Sequence, residues 1–297
     1  MELSWVNKLR IAAVAALGIV VIGILAWPLA APEDPLLPVR ATNISLLGTM
    51  GLLILAFALG FAGYFVAWPH GREIGILTVP FGLAIWAARS GPMRAATQVS
   101  IKPYERLMLV HSFRFEPVYW LLIVAAGFAG VLAAQYLRSI FMKPVSGDQP
   151  KSYLNVNTYV NGLLAILVTV IVSQFFIGVF TRDTGTSTVA AQPESGQIIF
   201  GVTAAFAVAA FVVKKFLNLS YIWPVMASAF MLALAQPIYY NAKVIQQFAE
   251  TRPATFFPHT LFAILPIQLV ALGTLGSIIG YWLAVRYDWW RKHESAG

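Results

Sequence analysis

The chain has 297 residues, of which 59% are hydrophobic and 11% are charged, and its mean hydropathy is +0.75. This composition excludes an ordinary soluble protein, in which about 25% of residues are charged, and leaves no room for a soluble domain beside the membrane helices. Cysteine is absent, which excludes disulfides, thiolate metal sites and iron–sulfur clusters. We attribute the net charge of +8 to Lys and Arg at helix ends, where they meet lipid and set topology, and expect no nucleic-acid binding.

Apolar runs long enough to cross a bilayer recur along the whole chain. Residues 198–213 form a shorter run, flanked by Gly196 and Gln197 on one side and Lys214 and Lys215 on the other. The longer runs are residues 11–31, 44–68, 118–137, 159–180, 221–240 and 256–285. We therefore predict an all-α fold, a polytopic transmembrane helical bundle in which residues 1–297 form one domain. The first run is longer than a signal-peptide core, so we expect an uncleaved anchor.

Residues 74–88 form a short apolar stretch around Pro80 that fits a short span, a re-entrant segment or an interfacial helix. The prediction is thus seven full spans plus this short helix, or eight spans. Lys and Arg divide almost evenly between the two sides in either case, so their number does not distinguish seven spans from eight. We favour seven spans because that arrangement places the basic residues after position 88 on the same side as Arg72, with the carboxyl terminus on the other side.

Residues 89–117 are predicted to be a basic, amphipathic segment lying in the membrane interface. Pro103 suits the first position of a helix, and Pro117 is expected to end that helix before the next span. Its charged residues are a candidate surface for an anionic headgroup or a partner chain, and the alternative is a lipid anchor with internal ion pairs. The candidates are Arg89, Arg94, Lys102, Arg106, Arg114 and Glu116.

The polar residues inside the predicted spans include the amides Gln174, Gln236 and Gln268. Proline stands beside the last two, and broken helices with free carbonyls are how many transporters build a site for a polar solute. Tyr239 and Tyr240 are placed to line the mouth of such a cavity. The alternative is that the amides only form hydrogen bonds between helices.

Glycine patterns indicate close helix packing. Gly276 and Gly280 form a small-xxx-small face, and the tetrapeptide Gly-Phe-Ala-Gly occurs at residues 60–63 and again at 127–130. The repetition suggests a duplicated helix pair or a chance match in a chain rich in these residues.

Catalytic and cofactor motifs are missing from the sequence. There is no Gly-x-Ser-x-Gly, no His-Glu-x-x-His and no phosphate loop. The four histidines, His70, His111, His259 and His293, lack the spacing that haem or zinc requires. We therefore expect no catalytic residue, no metal and no cofactor.

These observations favour a non-catalytic membrane subunit or scaffold that binds membrane lipids or other membrane subunits. The alternative is a permease for a small neutral or weakly polar solute, without proton or sodium coupling because charge is lacking within the spans. A third reading is an interfacial lipid enzyme that uses Glu116, His111 or His259 as acid or base. A bacterial inner membrane is the expected location.

Overall fold

The structure, a computed structural model, describes residues 5–100, 102–141, 156–181, 190–240, 243–244, 246–247 and 256–294. It confirms an all-α helical bundle with seven helices long and apolar enough to span a membrane in this part of the chain. The helices are α1 (Trp5–Gly18, extended by a π-helical segment, Ile19–Leu25), α2 (Leu46–Val66), α3 (Gly71–Ile74), α4 (Thr78–Arg89), α5 (Met93–Val99), α6 (Pro103–Phe141), α7 (Val156–Phe180), α8 (Ser195–Val212, extended by Val213–Leu217), α9 (Ile222–Tyr239) and α10 (Pro266–Glu294). Two short strands, β1 (Ala190–Ala191) and β2 (Phe256–Phe257), pair antiparallel.

Local sequence signals explain several helix ends. The Ser45 side chain accepts a hydrogen bond from the Gly48 amide and caps α2. Glu194 and Gln197 form a reciprocal capping box at the start of α8. Asn218, with a positive φ of 50°, ends the extension of α8 in the left-handed conformation that Asn tolerates better than most residues.

The segment from α3 to α4 connects opposite ends of the bundle. Before it, Trp68 lies under the guanidinium of Arg138 near the end of α6, with Cζ 3.1 Å from the ring centre. After it, Ser90 Oγ accepts a hydrogen bond of 2.8 Å from the Val39 amide in the loop that precedes α2. The segment therefore passes through the bundle as a short, broken eighth passage in the described chain, and Arg72 and Arg89 lie at opposite ends.

We call the end that holds Trp5, Trp68, Arg138 and Glu294 the terminal end, and the end that holds Val39, Ser90 and Phe257 the cavity end. Helix α5 lies at the cavity end, bent by 50° from the segment before it. With eight passages, the first and last described residues lie at the same end, and not at opposite ends as in the seven-span arrangement favoured from the sequence. The basic residues near both termini, such as Lys8 and Arg291, therefore share one side.

Helix α6 begins at Pro103, as predicted, but it does not end at Pro117. Its 39 residues continue through this proline, which removes one backbone hydrogen bond and is tolerated in membrane helices where neighbouring groups compensate. At 1.5 Å per residue the helix is about 58 Å long, against about 30 Å for the hydrocarbon core. The first half of α6 therefore extends beyond the hydrocarbon at the cavity end.

The last helix is the centre of the bundle. In its most apolar stretch 78% of residues are buried, against 22% to 50% in the other six long helices. A Cβ atom on Gly276 would collide with the carbonyl oxygen of Thr203 in α8, and one on Gly280 with that of Ala207. The predicted glycine face of α10 thus lies directly on the backbone of α8. The apolar run at 256–285 does not begin as one helix, because strand β2 and a 3-10 turn precede Pro266.

The two Gly-Phe-Ala-Gly segments lie against each other between α2 and α6. A methyl group on Gly60 would collide with the carbonyl oxygen of Gly127, and one on Gly130 with that of Phe57. These helices approach as closely as backbones allow, with van der Waals contact along the shared face.

We expect Gly60→Ala and Gly130→Ala to destabilise the protein by about 1 to 3 kcal/mol each, because overpacking forces the α2 and α6 backbones apart. Gly51→Ala and Gly178→Ala are matched controls, since an added Cβ meets nothing within 4 Å at either position. The controls should be neutral or gain up to about 1 kcal/mol from helix propensity. Unfolding in detergent measures all four, and equal effects at all four positions would contradict the close approach.

Candidate functional site at the cavity end

The cavity end is covered by a layer of loops joined by side-chain hydrogen bonds. Gln192, just after β1, accepts from the Arg94 amide at 3.1 Å and donates to the Ala263 carbonyl at 2.9 Å. The Ala41 amide donates to Glu116 Oε1 at 2.8 Å. These bonds involve five separate parts of the chain, so a polar, hydrogen-bonded layer closes this end of an otherwise apolar bundle.

Within this layer is a small cavity between α5, α6, α9 and the segment before α10. It contains about 370 Å³ of space free of atoms, including the part that opens outward. The centre of a water molecule can occupy only about 20 Å³ of this space. The cavity therefore has room for one or two waters. Its lining is mostly apolar and includes Arg114, Gln236 and Tyr240, with Met93, Val110, Phe113, Leu232, Phe257, Phe262 and Ile264.

The three amides proposed to line a solute cavity are in different situations. Gln236 lines the cavity, is 6% exposed, and its Oε1 has no hydrogen-bond partner among the described residues. Gln268 lies elsewhere: its Oε1 accepts from the Leu265 amide at 3.0 Å and its Nε2 donates to the Ala87 carbonyl at 3.2 Å. Gln174 does not line this cavity, and its Nε2 is buried without a partner in the described chain.

The prolines beside two of these amides also differ in effect. Pro266 occupies the first position of α10, where no intrahelical hydrogen bond is lost, so it does not break a helix there. Pro237 lies inside α9, two residues before its end. The broken-helix geometry expected on both sides of the site is therefore absent beside Gln268.

The two tyrosines face different neighbours. Tyr240 lines the cavity and packs on Phe262, with ring centres 4.9 Å apart. Burial raises the pKa of Tyr240, and the nearby charge of Arg106 opposes the rise. Tyr239 instead packs on His259 at 4.6 Å.

The charged residues of segment 89–117 do not form one surface. Arg94 and Lys102 are exposed, and Arg89 is exposed but lies over the Trp27 ring at 4.2 Å. Arg106 is 8% exposed and donates from Nε to the Ser100 carbonyl at 3.1 Å, while Glu116 is 5% exposed. Arg106 and Glu116 therefore lie inside the protein, because the loop layer folds over the first half of α6.

Glu116 connects α6 to the loop before α2. Its Oε1 accepts from the Ala41 amide and, at 3.3 Å, from the Trp120 indole. In the same loop, Arg40 donates to Ser112 Oγ at 2.6 Å and lies over Phe113 at 5.0 Å. The Glu116 and Arg40 side chains thus hold residues 40–41 against α6.

Two members of this layer, Arg40 and Gln192, were not predicted from the sequence. Each is an ordinary loop residue, and its partner lies more than 70 positions away. No local pattern could have found either one. The one hint of a polar layer was a polar helix residue able to bond a loop, such as Glu116. That residue had been assigned to the surface.

Metal binding has no support in the described residues, which contain no group of three or more His, Cys, Asp or Glu side chains able to hold an ion. The sequence matches no protein-family model, no curated protein and no solved structure. The apolar helices show an integral, multi-pass membrane protein, and its function is inferred from the geometry of the cavity end.

We expect Gln268→Leu to destabilise the protein by about 1 to 3 kcal/mol, because it leaves the Leu265 amide and the Ala87 carbonyl buried without partners. Gln174→Leu is the matched control and should be neutral or stabilising, since it removes an amide donor that has no partner in the described chain. Thermal unfolding in detergent compares the two variants. A neutral Gln268→Leu would show that water replaces these hydrogen bonds.

Stability should also depend on His259, whose Nδ1 accepts a hydrogen bond of 3.1 Å from the Leu261 amide. Burial lowers the pKa of His259, so the unfolded chain binds a proton at a higher pH than the folded protein does. The stabilisation is complete above the unfolded pKa of about 6.5 and is lost as the pH falls toward the lower folded pKa.

We therefore expect the unfolding temperature to fall more between pH 7.5 and pH 5.5 in the wild type than in His259→Asn. The Asn carboxamide oxygen still accepts from Leu261 but does not titrate. His111→Asn, on an exposed part of α6, should behave like the wild type. Equal pH dependence in all three proteins would exclude His259 as the titrating group.

Proposed function

We propose that this protein is a non-catalytic membrane subunit or scaffold of a bacterial inner membrane, and that its cavity end binds anionic lipid. The observation that carries the proposal is an amphipathic rim, defined as Arg94, Val99, Lys102, Tyr104 and Phe115. The two cations of the rim are exposed. The apolar members are exposed by 67% at Val99, 66% at Tyr104 and 63% at Phe115.

The composition of this rim suits the boundary between headgroups and acyl chains. Exposed aromatic and aliphatic side chains enter the interface, while Lys and Arg attract anionic headgroups by about 1 kcal/mol each. Because α6 is longer than the hydrocarbon core, the exposed side chains of its first half lie beyond the hydrocarbon at the cavity end. If the protein is a subunit of a larger complex, its partner subunit would contact the same rim.

Three of the buried hydroxyls support a structural role for the polar groups of the spans. In α7, Thr169 donates to the Ala165 carbonyl at 2.7 Å. In α9, Ser228 donates to Val225 at 2.6 Å, and in α10, Ser277 donates to Gly273 at 2.7 Å. Each hydroxyl is satisfied by a carbonyl of its own helix, which favours a packing role over use as a nucleophile.

A passive permease is the second candidate. It is favoured by the buried amide atoms Gln174 Nε2 and Gln236 Oε1, which lack partners among the described residues and would suit a polar solute. A single experiment distinguishes the lipid-binding subunit from the permease.

The test is extraction in native lipid nanodiscs, followed by mass spectrometry of all bound lipids, proteins and small molecules. We expect anionic phospholipid to be enriched over the bulk membrane and the enrichment to fall by about fivefold for each charge removed, or about thirtyfold in Arg94→Gln/Lys102→Gln, as expected for about 1 kcal/mol per charge. Arg94→Lys/Lys102→Arg keeps both charges and should retain it.

An unchanged lipid complement in the charge-removal variant would overturn lipid binding by the rim. A stoichiometric partner protein would favour the subunit over an autonomous permease. A specific small molecule bound to the isolated chain and lost in Gln236→Leu would instead favour the permease.

A further inference from the structure

Two polar groups line the cavity beside α9, of which one can donate a hydrogen bond and the other can accept one. Arg114 lines it from α6 and Gln236 lines it from α9. Apolar side chains, among them Phe257 and Phe262, form most of the remaining wall. In such surroundings a polar atom without a partner costs free energy, so each one indicates what a ligand would have to supply.

Arg114 supplies a positive charge that forms no ion pair with the described residues. Its side chain is half-buried, and its Nε atom is shielded from solvent without a hydrogen-bond partner in the described part of the chain. The contact recorded for its guanidinium is the Phe115 ring, 5.1 Å from Cζ. Arg106, which is buried on the same helix, donates from Nε to a backbone carbonyl. Arg114 therefore retains a donor for an anionic oxygen.

Gln236 supplies an acceptor. Its side chain is 6% exposed, and the carboxamide Oε1 is buried without a donor among the described residues. An anion alone would satisfy Arg114 but would leave this oxygen unpaired. The pair requires a ligand that carries both a negative oxygen and a hydroxyl donor.

The dimensions of the cavity restrict the size of that hydroxyl group. Space for one or two waters matches a hydroxymethyl group and excludes an acyl chain or a whole phospholipid headgroup. The phosphate would therefore remain outside the cavity, against the exposed part of the half-buried Arg114, while the hydroxyl enters toward Gln236.

The position of Arg114 along α6 favours a lipid as the source. Arg138, at the terminal end of the same helix, lies about 36 Å away along the axis at 1.5 Å per residue. This separation slightly exceeds the hydrocarbon thickness of about 30 Å. When Arg138 lies among the headgroups of one leaflet, Arg114 lies among those of the other.

We propose that the cavity formed by Arg114, Gln236 and Tyr240 is a specific site for a hydroxyl-bearing anionic phospholipid headgroup of the phosphatidylglycerol class. The phosphodiester binds Arg114, and a headgroup hydroxyl donates to Gln236 Oε1. The inference rests on the proposed lipid binding at this end but adds a selective site within it.

Binding of short-chain lipids to the delipidated, purified protein tests the proposal. Phosphatidylglycerol is compared with phosphatidylmethanol, which carries the same charge and no headgroup hydroxyl. The wild type should prefer phosphatidylglycerol by about threefold to tenfold, the range of one neutral hydrogen bond. Gln236→Leu should abolish this preference and leave phosphatidylmethanol binding unchanged.

Arg114→Gln should weaken both lipids by about tenfold or more, the range of a hydrogen bond to a charged group, and Arg114→Lys should restore part of the affinity. Thermal unfolding without lipid identifies any variant that fails to fold. Arg94→Gln/Lys102→Gln should keep the preference between the two lipids. Loss of lipid binding by the rim can therefore be distinguished from loss of headgroup selectivity at the cavity.

Equal affinity of the wild type for the two lipids, together with an unaltered Arg114→Gln variant, would overturn the site. Deacylated phosphatidylglycerol, which is glycerophosphoglycerol, tests the source of the ligand. Weak binding of this soluble compound supports a lipid, and affinity equal to that of the short-chain lipid would overturn the lipid assignment.

Discussion

Close contact between helix backbones at glycine is the constraint on which the rest of this structure depends. Helices surrounded by lipid gain little from burying apolar side chains, so van der Waals contact at short distance supplies much of their association. Gly60 and Gly130 allow this contact between α2 and α6, and Gly276 and Gly280 allow it between α8 and α10. The short passage formed by α3 and α4 obeys the same rule, because Gly18 of α1 leaves space for the Thr78 carbonyl.

The two ends of the bundle meet different requirements. At the terminal end, aromatic rings and cations fill the interface, as with Trp68 under Arg138 and Lys215 bound to Asp288 at 2.6 Å. At the cavity end, loops bring backbone groups into a partly apolar setting where each needs a hydrogen-bond partner. Gln192, Gln268 and Glu116 provide such partners. Most polar side chains at this end therefore hold the loops in place.

This division helps to separate structural polar groups from candidate ligand-binding groups. An amide that bonds two backbone groups, as Gln268 does, has its hydrogen-bonding capacity largely used. Gln236 and Arg114 differ from Gln268 because each keeps a buried atom without a described partner, and they differ from Glu116, whose Oε2 also lacks one, because both line one cavity. The proposed lipid site follows from this difference. The amphipathic rim nearby would bring anionic lipid to the same end by long-range attraction.

The sequence by itself determined the membrane class, the helical bundle and the approximate position of most long helices. Hydrophobic length is a local property of the chain, and a lipid environment forces such runs to become helices because backbone groups must be satisfied within the segment. Residues 44–68 and 159–180 were therefore predicted to within a few residues of α2 and α7. The start of α6 at Pro103 was also predicted from the local sequence.

Tertiary structure alone decided the direction of residues 71–89, the continuation of α6 through Pro117 and the burial of Arg106 and Glu116. Each depends on what packs beside the segment, as Arg138 beside Trp68 or Ala41 beside Glu116. That Arg114 and Gln236 line the same cavity likewise depends on the meeting of α6 and α9. Composition and spacing record the length and polarity of each helix, whereas contacts between distant parts of the chain arise only when the helices have assembled.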